Sequence, residues 1–279
     1  MGAIFGPAGN SVSFKKNSKA GLLAYLNSFG LKDYELQCGM GVRTSSETAV
    51  EFKNSIKGIK ISIHAPYYIS LSSVDEQKRL KSIDYILQTA RLAKAMGACR
   101  IVIHSGSCRK IDRSIALDLA KNTLKMAFKA LKNEKLEEIE VCLETMGKIN
   151  QLGSLEEVLN LCKIAPNCVP CIDFGHLNAR TFGSIKSIID YEKILNSVEN
   201  ELGFDCLNRL HVHFSKIEFS ANGGEKKHLT FSDEVYGPNF EPLAELVAKR
   251  NLSPTFICES AGTQAEDAAE MRKTYENFL

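Results

Sequence analysis

The chain has no run of 18 apolar residues and no charged-then-apolar leader, so neither a membrane span nor export is expected, and the cytoplasm is the expected location. It also has little net charge: 35 Lys and Arg stand against 33 Asp and Glu, a formal +2. That balance is too small to announce a nucleic-acid-binding module by charge alone, although it leaves room for a local basic rim. No low-complexity linker splits the sequence and no repeat exceeds a strand–helix rhythm, so residues 1–279 are read as a single domain. A disulfide framework is not expected either. The nine cysteines are an odd number, and Cys99, Cys142, Cys171 and Cys258 lie in apolar runs where a free thiol behaves as a small hydrophobe. Cys168-Val-Pro-Cys171 has redox or zinc spacing, but no second such pair accompanies it and it runs directly into an apolar strand, so it is read as structural.

What is present is a rhythm. Short β-branched or apolar runs occur at Ala3–Phe5, Tyr34–Gln37, Ile59–Ile63, Arg100–Ile103, Glu140–Leu143, Val169–Ile172, Leu210–Phe214 and Thr255–Cys258. Between them lie stretches of helical spacing such as Ser73–Met96, Ile111–Leu131, Ser154–Cys162, Ser184–Leu202 and Glu241–Lys249. Ser73 with Glu76, and Ser154 with Glu157, carry the spacing of capping boxes. Eight strand–helix alternations in a chain of 44% hydrophobic residues predict an α/β fold, a (β/α)8 TIM barrel. The polar, glycine-bearing segment 220–238 is too long for a simple connection and reads as a functional loop.

All six histidines and three acids fall at or just after expected strand ends: His64, His104, Glu144, Asp173 with His176, His211 with His213, His228, and Glu259. A barrel gathers the carboxyl ends of its strands on one face, so residues spread over the chain meet there. Converging carboxylates and imidazoles are costly unless cations lie among them. Mixed nitrogen and oxygen donors without thiolate suit zinc, manganese or iron.

The ordered motifs His64-Ala-Pro-Tyr, His104-Ser-Gly-Ser, Glu144-Thr-Met, Cys-Ile-Asp173-Phe-Gly-His176, His211-Val-His213-Phe-Ser-Lys216 and Glu259-Ser resemble those of the endonuclease IV family of zinc-dependent apurinic/apyrimidinic endonucleases over nearly the whole chain. The resemblance implies two to three Zn2+ ions, with Mn2+ as an alternative. His64, His104 and Glu144 would hold one, Glu144 would bridge to a second held also by Asp173, His211 and Glu259, and His176 and His228 would hold a third. The family has an acid two residues before the last histidine, whereas here Glu225 precedes His228 by three, which leaves Glu225 open as a ligand. His211 and His213 point to the same strand face, so either could coordinate; the distance to Lys216 favours His211. The implied partner is double-stranded DNA with abasic sites, with no obligate protein partner evident. The implied reaction is hydrolysis of the phosphodiester 5′ to the lesion. Water between two zincs is acidified towards ~7, so Glu144 and Glu259 serve as bridging or water-orienting ligands and no side-chain base is needed. Tyr67, Tyr68, Arg43 and Lys216 are the expected DNA contacts. Glu144, Asp173, His211 and Glu259 alone would also suit a one-metal sugar or sugar-phosphate isomerase or epimerase on the same type of barrel, but that reading leaves four histidines without a task.

Overall fold

The computed structural model describes residues 2–15 and 19–279. Eight parallel strands form one sheet: β1 (Ile4–Pro7), β2 (Asp33–Gln37), β3 (Lys60–His64), β4 (Arg100–Ile103), β5 (Glu140–Glu144), β6 (Cys168–Asp173), β7 (His211–Phe214) and, late in the chain, β10 (Thr255–Cys258). Their order is β1-β10-β7-β6-β5-β4-β3-β2. The ring is completed where β1 meets β2: Lys32 N–H donates to Phe5 O (3.0 Å), Gly9 N–H donates to Glu35 O (2.9 Å), and Ala8 bridges Glu35. An antiparallel hairpin, β8 (Ile217–Ser220) and β9 (Gly224–His228), stands outside this ring after β7.

Helices α1 (Lys19–Ser28), α2 (Ser46–Ser55), α3 (Glu76–Met96), α4 (Arg113–Asn133) and α5 (Leu155–Cys162) cover the outside, as do α7 (Ile188–Leu202), α8 (Phe204–Asn208), α9 (Glu241–Lys249) and α10 (Gln264–Glu276), whereas the short α6 (Phe174–Arg180) is buried between the end of β6 and the hairpin. The expected capping box at Ser154 and Glu157 opens α5. The one at Ser73 does not form: Asp75 caps α3, its carboxylate accepting from Gln77 N–H (2.9 Å), and Ser73 Oγ instead accepts from Asp75 N–H. The side chain nearer the first turn takes the orphan donors. The long segment after β7 is the hairpin plus a loop, not a loop throughout, and α6 begins directly at the end of β6 without a separating turn.

The main core lies between strands and helices, where Phe5, Phe214, Phe240 and Phe256 pack against one another. Inside the barrel small apolar and polar side chains share the lining: Val102, Cys142, Val169 and Cys171 form their own apolar cluster, and Glu35, Ser62, His211 and His213 are buried as well. The nine cysteines are free thiols. Cys99 is exposed, contrary to its expected burial, because it precedes β4 at the barrel's amino end. None of the described helices is long and apolar enough to cross a membrane.

Candidate metal centre

Strand ends deliver the donors. His64, Glu144 and Asp173 are the last residues of β3, β5 and β6, while His104 and Glu259 immediately follow β4 and β10. They converge at a cavity of about 310 Å3, lined by His64, His104, Glu144, His176, Glu225, His228 and Glu259 among others. A larger cavity of about 750 Å3 opens beside the barrel at Phe182, Phe219 and Tyr236, but it holds none of these donors.

Three donor sets meet here. His64 Nε2 and His104 Nε2 lie 3.2 and 2.9 Å from Glu144 Oε2. Glu144, Asp173, His213 and Glu259 form the second set, with His213 Nδ1 at 3.4 Å from both Glu144 Oε1 and Glu259 Oε1. His176, Glu225 and His228 form the third, with His176 Nε2 at 3.5 Å from Glu225 Oε2.

The preference for His211 over His213 does not match this geometry. His211 is the first residue of β7, at the strand's amino end, whereas the other donors sit at carboxyl ends. Two residues of strand rise place it roughly 7 Å deeper, where Nε2 donates to Glu35 Oε2 (2.9 Å). Cys171, His211 and His213 also converge at this lower level. Glu35 is the residue that the sequence reading missed. It stands mid-strand in β2 with no turn or motif beside it, and its alternation with Tyr34 and Leu36 looks ordinary.

Glu225 joins the third set despite its spacing. In a regular strand, residues three apart face opposite sides. Here Glu225 pairs with Phe219 and Lys227 with Glu218, so Lys226 is an inserted residue at a bulge. The bulge converts a spacing of three into an effective two and turns Glu225 and His228 to one side. Gly147 fits this arrangement: its carbonyl accepts from Glu225 N–H (3.1 Å), and a Cβ there would stand 2.6 Å from the Glu225 Cβ and 2.9 Å from the His176 ring.

The donor set suits divalent cations on several grounds. Ligating imidazoles usually have their second nitrogen held by a protein acceptor. His64 Nδ1 donates to Ala65 O (2.9 Å), His176 Nδ1 donates to Thr145 O (3.0 Å), and His228 Nδ1 shares a hydrogen bond with Ser215 Oγ (2.8 Å). In each case Nε2 is left for the cavity. Asp173 Oδ1 caps α6 by accepting from His176 N–H (2.7 Å), whereas its buried Oδ2, 3.0 Å from His176 Nδ1, and both ring nitrogens of His213 make no hydrogen bond within the chain.

The charges are consistent with this. Burial raises Asp173 to about 7, helped by Glu259 and Glu144 and opposed by His176. Burial also works against ionisation of Glu144 and Glu259, but neighbouring imidazoles win: His104 and others hold Glu144 well below the usual range, and His213 holds Glu259 at about 2. Burial would lower His64 and His176, yet Glu144, and Asp173 for His176, raise both. Protons on histidine thus stand where cations would balance the carboxylates.

At the rim, Tyr67 is 57% exposed and its ring stacks near His104, with centroids 5.6 Å apart at 26°. Tyr68 is also exposed, its hydroxyl 3.5 Å from Met40 Sδ. Arg43 is exposed but does not line the cavity. Lys216 is turned away: its ammonium donates to the carbonyls of Phe231 (2.9 Å) and Asp233, so it braces the loop after β9 and is not free for phosphate. Lys226 and Lys227 pair with Glu218. Lys148 and Gln151, not expected from the sequence, line the cavity.

The sequence model for xylose isomerase-like TIM barrels matches residues 23–276. An uncharacterized protein of Methanocaldococcus jannaschii is 33% identical over 279 aligned residues, covering 99% of this chain and 97% of its own. The probable endonuclease 4 of Mycoplasma pneumoniae is 30% identical over 196 residues, 68% of this chain and 64% of that protein's length. Among solved structures, a D-tagatose 3-epimerase-like protein superposes with a TM-score of 0.72 at 18% identity, covering 99% of this chain and 97% of that one, a likeness of fold alone.

Proposed function

The chain belongs to the xylose isomerase-like TIM-barrel family, and from that premise we propose that it is a metal-dependent apurinic/apyrimidinic endonuclease of the endonuclease IV type, cleaving the phosphodiester 5′ to abasic sites in duplex DNA. The observation that carries this reading is the third donor set. His176, Glu225 and His228 stand beside the four residues Glu144, Asp173, His213 and Glu259, which are all that a one-metal epimerase would use.

In this reading His64, His104 and Glu144 hold one zinc, Glu144, Asp173, His213 and Glu259 a second, and His176, Glu225 and His228 a third. Bound zinc supplies Lewis acidity towards phosphoryl oxygens and acidifies a water to near neutral pH. The chain's own groups do the rest. Glu144 ties the first two sets together through opposite carboxylate oxygens. Tyr67, hanging over the cavity beside His104, offers an aromatic face where a base is missing. Lys148 brings a positive charge to the cavity wall, where a phosphate would lie. Low net charge is compatible with this, since only the rim need meet the DNA backbone.

The decisive test is a labelled duplex carrying one stable abasic analogue, incubated with zinc-loaded protein beside an undamaged duplex and a chelator-treated control. Selective, chelator-sensitive incision 5′ to the lesion is expected. A sugar or sugar-phosphate epimerase is the second reading, favoured by the four-residue set and the epimerase-like fold. Turnover of a ketose by protein inert on the damaged duplex would establish it. Replacing His176, Glu225 or His228 separates the two, because only the nuclease needs them.

A further inference from the structure

Glu35 is buried in the middle of β2, one layer below the donor sets. Its Oε2 accepts from Ser62 Oγ (2.9 Å) and from His211 Nε2 (2.9 Å), and its Oε1 accepts from Gln37 Nε2 (3.1 Å). The same Oε1 stands 3.1 Å from His213 Nε2. The other nitrogen of that ring, Nδ1, faces Glu144 and Glu259, each at 3.4 Å, and neither ring nitrogen makes a hydrogen bond within the chain. A neutral imidazole carries one proton, and an ionised carboxylate can only accept. Glu35 Oε1, at 3.1 Å, is nearer to the ring than the Glu144 and Glu259 oxygens, so a cation on Nδ1 would leave the one proton of the neutral ring on Nε2, facing Glu35.

We propose that Glu35 is the positioning residue of the second set, selecting which nitrogen of His213 coordinates and thereby setting the affinity of Glu144, Asp173, His213 and Glu259 for a divalent cation. The inference rests on the reading of that set as a metal centre. A contrast between the two layers supports it. Cys171 and His211 approach His213 in the lower layer, and Glu35, the carboxylate that faces them, already has donors from Ser62, Gln37 and His211. The upper layer holds three carboxylates, Glu144, Asp173 and Glu259, about His213. Ser62 and His211 in turn fix the Glu35 carboxylate, so the chain of control runs from Ser62 through Glu35 to His213.

The test is zinc binding by equilibrium dialysis against graded chelator buffers, with wild-type protein, Glu35→Gln and Ser62→Ala, folding being followed by far-UV circular dichroism. Gln keeps the shape but can present an amide donor to His213 Nε2, moving the imidazole proton to Nδ1. One class of zinc site is expected to weaken by roughly 10–100-fold in Glu35→Gln, the range for loss of a ligand's hydrogen-bonded partner, while the His64, His104 and Glu144 set keeps its affinity. Ser62→Ala is expected to weaken the same class by a smaller factor. Folded Glu35→Gln protein that holds every zinc as tightly as wild type overturns the proposal. Should Glu35→Gln fail to fold, unchanged zinc binding in Ser62→Ala overturns it instead. A wild-type protein that binds zinc yet leaves abasic DNA intact would remove the nuclease reading and leave this inference standing.

Discussion

At the scale of single residues, the centre depends on donors held at strand ends and on small residues that let them approach. Glu144 is the hinge of the arrangement, because four imidazoles, those of His64, His104, His176 and His213, lie within 3.4 Å of its two oxygens. His64→Ala or His104→Ala is expected to lower cleavage of an abasic duplex by at least ~100-fold, since loss of a ligand's hydrogen-bonded partner alone costs up to about that much. The far-UV spectrum should stay unchanged, since both residues sit at the mouth and not in the core between strands and helices. Near-normal turnover by either variant would remove the multi-metal mechanism. Gly147→Ala probes a different constraint. The added methyl would meet Glu225 and His176, so the third set should lose its cation while the first two keep theirs, as metal analysis after dialysis would show. Retention of all metal would mean that the hairpin moves aside at no cost to the site.

At the scale of elements, the β8–β9 hairpin is the part that departs from regular geometry. Its bulge at Lys226 corrects the phase between Glu225 and His228, which makes the register, and not the sequence spacing, the quantity that matters. Deleting Lys226 should restore plain alternation and leave Glu225 and His228 facing one side, with activity within about tenfold of wild type. Inserting one further residue between Lys226 and Lys227 should turn one of the two away and abolish the third set. Steady-state cleavage and metal content, measured together, check both variants; equal loss in the two would show that the hairpin tolerates no change of length and that the phase argument is wrong. The departure in spacing was legible in the sequence, but its correction was not, because a bulge is decided by pairing with the opposite strand.

At the scale of the whole molecule, the buried charges couple metal, protons and stability. In the metal-free protein the histidines His64, His176 and His213 have raised folded-state values, despite burial, because carboxylates surround them. Their stabilisation is present below the unfolded value of about 6.5 and is lost as pH rises through the folded values. Asp173, raised to about 7 chiefly by burial, has the same sign but an earlier window: its neutral form is favoured in the fold, and that contribution is lost as pH rises to about 7. The lowered carboxylates, Glu35, Glu144 and Glu259, contribute a constant amount above pH ~5. Burial depresses His211, to about 4, and His228, and these cost stability only below their unfolded value. Chelator-treated protein should therefore lose thermal stability as pH rises above about 6.5. Zinc-loaded protein should not, because metal competes with protons for the same atoms and binds better as they leave. The gap between the two melting temperatures is expected to widen with pH, towards a stabilisation on the order of 4 kcal/mol at a thousandfold excess of zinc over its dissociation constant. A gap that narrows over this range would mean that these groups are not the ligands.

The eightfold alternation of strands and helices, the convergence of donors on one face and most members of the three sets were determined by the sequence itself, because strand period, turn residues and the direction of a parallel barrel are local consequences of residue order. The tertiary structure alone decided the remainder: that His213 and not His211 reaches the centre, that Glu225 faces His228, that Lys216 braces a loop, and that Glu35 lies beneath. Each of these turns on depth along a strand, on pairing register or on contacts between residues far apart in the chain, and such quantities are fixed only when the ring closes.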